Sequence, residues 1–268
     1  MRRTRRPMLG ILGGMGPLAT AAFYRKLVER TPADADQGHL PVIVWADPGV
    51  PDRTSALLGE GPSPLPALVE GAREPRRPGA TCIAVPCNTA YAYVEQVTRV
   101  TGVEVVDMID AALEQAARSA RAVRRVGVLT TRGTRAAGLY ERAGARLGLT
   151  VVQVPDEAQC AYVDPAIRAV KAGADMAGAA RWIAAATRVP QELGAQVAVA
   201  ACTEIPLVAG EVARVLPMVD SAEALADRVV DRLWRPSPRE FVPGDGNGRV
   251  ISCPRTDAQE RTGPNLRR

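Results

Sequence analysis

Short apolar runs recur along this chain, each followed by a turn and an amphipathic stretch, and this alternation limits the possible folds more than any other feature. Residues 8–12, 41–46, 80–85, 103–106, 125–129, 150–154 and 197–201 read as strands. Residues 18–30, 111–122, 134–147, 164–172, 174–187 and 222–234 read as helices. The strands lack the polar alternation of a sheet with one wet face. They must be covered on both sides, which predicts an α/β fold of parallel sheets flanked by helices.

The pattern runs twice. Leu9-Gly10-Ile11-Leu12-Gly13-Gly14 is echoed by Val126-Gly127-Val128-Leu129-Thr130-Thr131. Cys87 lies 76 residues after Ile11, and Cys202 lies 74 residues after the equivalent Val128. Each cysteine follows an apolar strand, in CIAVPCNT and VAVAACTE. The expectation is two pseudo-symmetric α/β domains, 8–110 plus 217–235 and 111–216, each with a cysteine at the carboxyl end of a strand. Open α/β sheets bind ligands at that end, so the predicted site lies there. In the first half, Pro75 and Pro78 must end or kink the helix that precedes the Cys87 strand.

The net charge of +5 would suit a polyanionic partner, but its placement does not. Residues 1–7 hold four Arg and no acid, and residues 236–268 hold six Arg and four acids, which leaves 24 basic against 25 acidic residues in 8–235. With no basic stripe interleaved with aromatics, a nucleic-acid partner is excluded. Residues 1–7 and the Pro-, Gly- and Arg-rich stretch 236–268 are expected to be disordered tails. No apolar run approaches the roughly 20 residues of a membrane span, and residues 8–19 lack the apolar core of a secretory signal. The reading is a cytoplasmic protein with no membrane partner, whose five cysteines are thiols. A single histidine, His39, rules out a multi-histidine metal site, and a Ser-His-Asp triad would have to use it.

Four motifs remain: GGMGPLAT (13–20), PDRT (51–54), PCNTA (86–90) and CTEIPL (202–207). In this order and spacing they resemble the aspartate/glutamate racemase superfamily, whose enzymes work without pyridoxal phosphate. The resemblance covers roughly residues 8–235. It implies a site in the inter-domain cleft and stereoinversion at an amino-acid Cα with no cofactor, commonly in a homodimer. One cysteine, as thiolate, removes the proton from one face, and the other, as thiol, delivers a proton to the opposite face. The match places these roles on Cys87 and Cys202. It places the distal carboxylate of a small acidic amino acid, aspartate or glutamate, on Arg53 and on Lys171, one of only two lysines.

The residues themselves fit this chemistry. Inversion needs an acid and a base on opposite sides of one carbon, which two facing half-domains can supply. An ordinary thiol titrates near pH 8.5, so its surroundings must help it ionise. A helix N-terminus after each cysteine favours an anion, and Glu204 can orient or deprotonate Cys202. Asn88, Thr89, Thr131 and Thr203 can hold the α-carboxylate through hydroxyl, amide and backbone donors. Gly14 and Met15 belong to a turn whose glycines allow close backbone approach to a small ligand. GGMG lacks the GxGxxG spacing of a nucleotide site. Cys82, in mid-strand, is expected to be a buried small hydrophobe, and Cys160 and Cys253 are expected to have no chemical role.

The chain departs from the family pattern at Tyr91, where histidine is usual, at Ala201, where glycine is usual, and through Trp45–Gly49. These positions bear on the substrate. The alternatives are therefore an isomerase, epimerase or decarboxylase of another small carboxylate on the same scaffold, or a non-catalytic binding homologue.

Overall fold

The computed structural model describes residues 6–120 and 122–234. Its elements in chain order are β1 (Leu9–Gly13), α1 (Pro17–Arg30), β2 (Val42–Ala46), α2 (Arg53–Leu57), α3 (Leu65–Arg76), β3 (Cys82–Ala84), α4 (Tyr91–Thr101) and α5 (Met108–Arg118). The second run comprises β4 (Arg125–Thr130), α6 (Arg132–Ala136), α7 (Leu139–Arg146), β5 (Thr150–Gln153), α8 (Asp156–Ala158), α9 (Asp164–Ala172), α10 (Met176–Glu192), β6 (Val197–Ala201), a 3-10 helix (Ile205–Arg214), β7 (Met218–Asp220) and α11 (Ser221–Leu233). The strands form two parallel sheets, ordered β2-β1-β3 and β5-β4-β6-β7. Central β1 is buried at every position, and β4 at all but its first residue. Both are covered on two faces, as unbroken apolar strands require.

The same packing device holds each half together. Gly10 on β1 is seated against Pro75 of α3: a methyl group added at Gly10 would lie 2.6 Å from the proline Cβ. Gly127 on β4 is seated against Pro190 of α10, where the same distance is 2.7 Å. Both prolines are buried near the helix end. Each proline closes the helix before the cysteine-bearing strand, and each glycine, lacking a side chain, lets that helix lie close on the sheet. This accounts for Pro75.

Several predicted boundaries move. The strand expected at 103–106 reduces to one bridge, Ile83 to Val105, because Asp107 caps α5 immediately afterwards by accepting from the Ile109 and Asp110 N–H groups at 2.8 and 2.9 Å. The helix expected over 134–147 is two helices, broken at Gly138, whose φ of +58° no helix interior tolerates. Of residues 217–235, assigned from the sequence to the first domain, β7 instead pairs with β6 in the second sheet, while α11 packs on α1 and α5. The expectation of disordered ends falls on residues 1–7 and 236–268, which apart from Arg6 and Pro7 lie outside the described residues, as does Cys253. Arg6 Nη1 donates to the Gln37 carbonyl. Among the described residues, no helix is long and apolar enough to cross a membrane.

Candidate active site

β3 and β6 end at equivalent points of their sheets, each delivering a cysteine. Cys87 is the residue before a 3-10 turn (Asn88–Ala90) that runs into α4, and its own N–H donates to Val85 O at 2.8 Å. The Cys202 carbonyl accepts from Ile205 N–H at 3.0 Å at the entry to the second 3-10 helix. Both thiols are free and buried. They line one cavity together with Met15, Arg53, Asn88, Thr89, Thr131, Lys171, Thr203 and Glu204. Ten of the eleven predicted site residues are therefore brought together.

The exception is Gly14. Its φ is +91°, and a Cβ there would lie 2.4 Å from the Asp47 backbone. Its N–H donates to Thr20 Oγ1 at 2.9 Å. The glycine serves close approach of the loop after β2 and is not part of the cavity lining. Asp52 and Thr54 also line the cavity and escaped it. Both belong to the PDRT motif, so attention to the whole motif rather than to its cation would have found them.

Around Cys87 the polar groups satisfy one another. The Thr89, Thr131 and Thr134 hydroxyls form a closed ring, with distances of 2.9, 2.9 and 3.0 Å. Thr89 belongs to the first half and the other two to the second, so the ring joins the halves. Asn88 accepts from Tyr140 Oη at 2.6 Å and donates to Ser221 Oγ at 3.0 Å, and Ser221 donates onward to Ala200 O at 2.8 Å. These buried bonds fix the amide within the cavity wall.

Around Cys202 the arrangement is different. The thiol donates to Glu204 Oε2 at 3.0 Å. Burial, and then the Glu204 charge, push the thiol pKa well above its ordinary value, although Lys171 opposes this. Cys202 is therefore held as a protonated acid. Sequence reasoning had expected help toward the thiolate from a helix N-terminus, and a short 3-10 entry beside a carboxylate gives the opposite sign. Thr203 Oγ1 lies 3.3 Å from the Pro86 carbonyl and 3.4 Å from Glu204 Oε2, tying the two cysteine loops together. Glu204 is only 4% exposed, and its Oε1 has no partner.

The cations stand at the same wall. Arg53 begins α2 instead of lying in a loop, and only 7% of it is exposed. Its Nη1 donates to Val50 O and Pro51 O at 3.2 and 3.1 Å, and its Nη2 to Met15 O at 3.3 Å, leaving Nε buried without a partner. Lys171 occupies the last turn of α9 and makes no ion pair among the described residues. Desolvation works against its charge, but Glu204, Cys202 and Cys87 outweigh this and raise its pKa. Burial likewise works against the Asp52 carboxylate, yet the Ser55 N–H bond and then Arg53 and Lys171 leave its pKa lowered.

The family departures do not reach the cavity. Tyr91 Oη donates to Val106 O at 2.7 Å, away from the lining, and burial raises its pKa well above the usual value. The Trp45 ring covers Gly71 of α3, where a Cβ would lie 2.3 Å from it. Both are packing residues. His39 is not part of the lining either.

The sequence matches the Asp/Glu/Hydantoin racemase family over residues 12–229. The chain belongs to this family. It is a racemase-type isomerase, and this family membership extends to relatives with related names. It is 26% identical over 230 residues to the broad specificity amino-acid racemase RacX of Bacillus subtilis, an alignment covering 83% of this chain and 96% of that one. The fold matches the Picrophilus torridus aspartate racemase with a TM-score of 0.75 at 28% identity, covering 86% of this chain and 96% of that one. It also matches a Francisella tularensis glutamate racemase with a TM-score of 0.59, covering 84% and 80%; at 15% identity that likeness speaks to fold alone.

Proposed function

We propose that this racemase inverts aspartate or glutamate without a cofactor, using Cys87 and Cys202 as its base and acid. The observation that carries the reading is the shared lining: both thiols, Arg53 and Lys171 face one cavity. The substrate lies between the thiols. For one enantiomer, Cys87 as thiolate takes the α-proton, and Cys202, already protonated against Glu204, delivers its own to the other face. The opposite enantiomer uses the reverse assignment. Asn88 and Thr203 hold the α-carboxylate, with Thr89, Thr131 and Met15 completing the wall. Arg53 Nε and the Lys171 ammonium meet the side-chain carboxylate by charge-assisted hydrogen bonds. The Picrophilus relative supports an acidic substrate. A homodimer in the cytoplasm is the proposed setting.

The test is α-proton exchange. Each enantiomer of aspartate and glutamate is incubated in D₂O with the native enzyme, Cys87→Ser and Cys202→Ser, and deuterium at Cα is followed by NMR. The expected result is exchange of both enantiomers by the native enzyme and of only one enantiomer, a different one, by each variant. Exchange of neither amino acid would remove the substrate assignment, and exchange of both enantiomers surviving in both variants would remove the mechanism. Because the Bacillus relative is named for broad specificity, the assay set includes neutral and basic amino acids.

A further inference from the structure

Glu204 is not enclosed by the catalytic cavity alone. A second cavity of about 130 Å³ adjoins it, lined by Gly16, Leu18, Val170 and Leu207 and sharing Met15, Lys171 and Glu204 with the first. It reaches the surface at Leu18, which is 55% exposed. The two carboxylate oxygens of Glu204 divide between these spaces. Oε2 accepts from the Cys202 thiol in the catalytic cavity. The partnerless Oε1 lies on the side of Gly16, where an added Cβ would sit 3.2 Å away, and Gly16 lines only the second cavity. A buried carboxylate thus connects a thiol to a space large enough for several waters, each needing roughly 10–15 Å³ of such volume.

Two-base inversion creates a need for such a connection. When Cys87 thiolate takes the α-proton and Cys202 delivers its own, the enzyme is left as Cys87 thiol and Cys202 thiolate. That form accepts only the product enantiomer. Net conversion in one direction requires both thiols to return to their starting states, with one proton gained and one lost.

We propose that Glu204 is the proton passage that resets Cys202, through the second cavity. Water entering from that cavity protonates Oε1, the carboxyl group turns to present this O–H to the Cys202 thiolate and gives it the proton, returning to a carboxylate, and Cys87 gives its proton to water in the emptied catalytic cavity. Charge and protons balance over the cycle. For the opposite enantiomer every transfer reverses. Lys171, at the boundary of both spaces, is the cation facing Glu204 during the exchange. The first half has no ionisable side chain at the equivalent position, Thr89, so Cys87 resets through the catalytic cavity itself.

This rests on the two-thiol reading, and one pair of measurements separates the two. Net conversion is followed by circular dichroism, starting from one pure enantiomer of aspartate or glutamate at saturating concentration. Tracer interchange is followed with ¹⁴C label in the racemate at the same total concentration, where alternating directions restore the enzyme without any reset. Glu204→Gln should lower net conversion by about tenfold more than it lowers tracer interchange, and Glu204→Asp should recover much of the difference. Leu207→Trp, which fills the second cavity without touching either thiol, should slow net conversion and leave tracer interchange near native. The ratio is taken within each preparation, so loss of folded enzyme cancels. An unchanged ratio in Glu204→Gln, with interchange still dependent on both thiols, overturns the passage alone. Interchange that is absent, or that persists without the thiols, overturns the two-thiol reading and the passage with it.

Discussion

The two halves of this molecule are built alike and diverge two residues after each cysteine. In the first half that position is Thr89, whose hydroxyl is closed into a neutral ring with Thr131 and Thr134. In the second it is Glu204, a buried carboxylate with one oxygen on the thiol and the other unpaired. The strands, the Gly-Pro seats and the cysteine positions make the halves equivalent as scaffolds. A single side chain then makes their surroundings unequal: burial, and then the Glu204 charge, raises the Cys202 pKa. Inversion is symmetric about a carbon, but the groups performing it need not be.

Removing either thiol breaks the comparison most severely. Cys87→Ser and Cys202→Ser should each lower racemisation by about 10²- to 10⁴-fold, measured by circular dichroism. Each should retain deuterium exchange for one enantiomer only, the one whose α-proton faces the remaining thiol. Lys171→Met should raise KM for the acidic substrate about 10- to 100-fold, as loss of a charge-assisted hydrogen bond implies. If KM is unchanged, Arg53 alone holds the side chain. Gly10→Ala and Gly127→Ala should destabilise by about 1–3 kcal/mol each. Similar losses in urea melts would show that the two seats are equivalent, whereas a cost confined to one half would break the symmetry. Glu204→Thr makes the second half resemble the first. It removes a charge and an acceptor that both raise the Cys202 pKa, so that pKa must fall. Alkylation of Cys202 should therefore begin at a lower pH than in the native enzyme. Smallest of all, Tyr91→Phe leaves the Val106 carbonyl without its donor. It should cost about 1 kcal/mol of stability with racemisation unchanged.

Much of this was legible in the sequence. Unbroken apolar strands report burial on both faces, so the parallel sheets and the repeat followed directly from residues such as Ile11 and Val128. The cysteine pairing followed from its spacing within that repeat. What escaped depends on packing across the chain. Gly14 reads as a ligand turn until Asp47 is found against it. Tyr91 reads as a substituted site residue until its hydroxyl is traced to Val106. Asp52 and Thr54 carry no signal apart from their neighbour Arg53, and only α2 packing against α6 turns them toward the cavity. The sign of Glu204's effect on Cys202 was equally hidden, because it depends on the depth of burial as well as on the two-residue spacing.

The threonine ring has a consequence for the polarity of the cavity wall. Three hydroxyls own three protons, and closing three mutual bonds uses all of them. The ring therefore faces a ligand with lone pairs alone. While it is closed, this wall welcomes an ammonium group and offers a carboxylate nothing. To receive a carboxylate, one hydroxyl must turn outward and open the link between the halves.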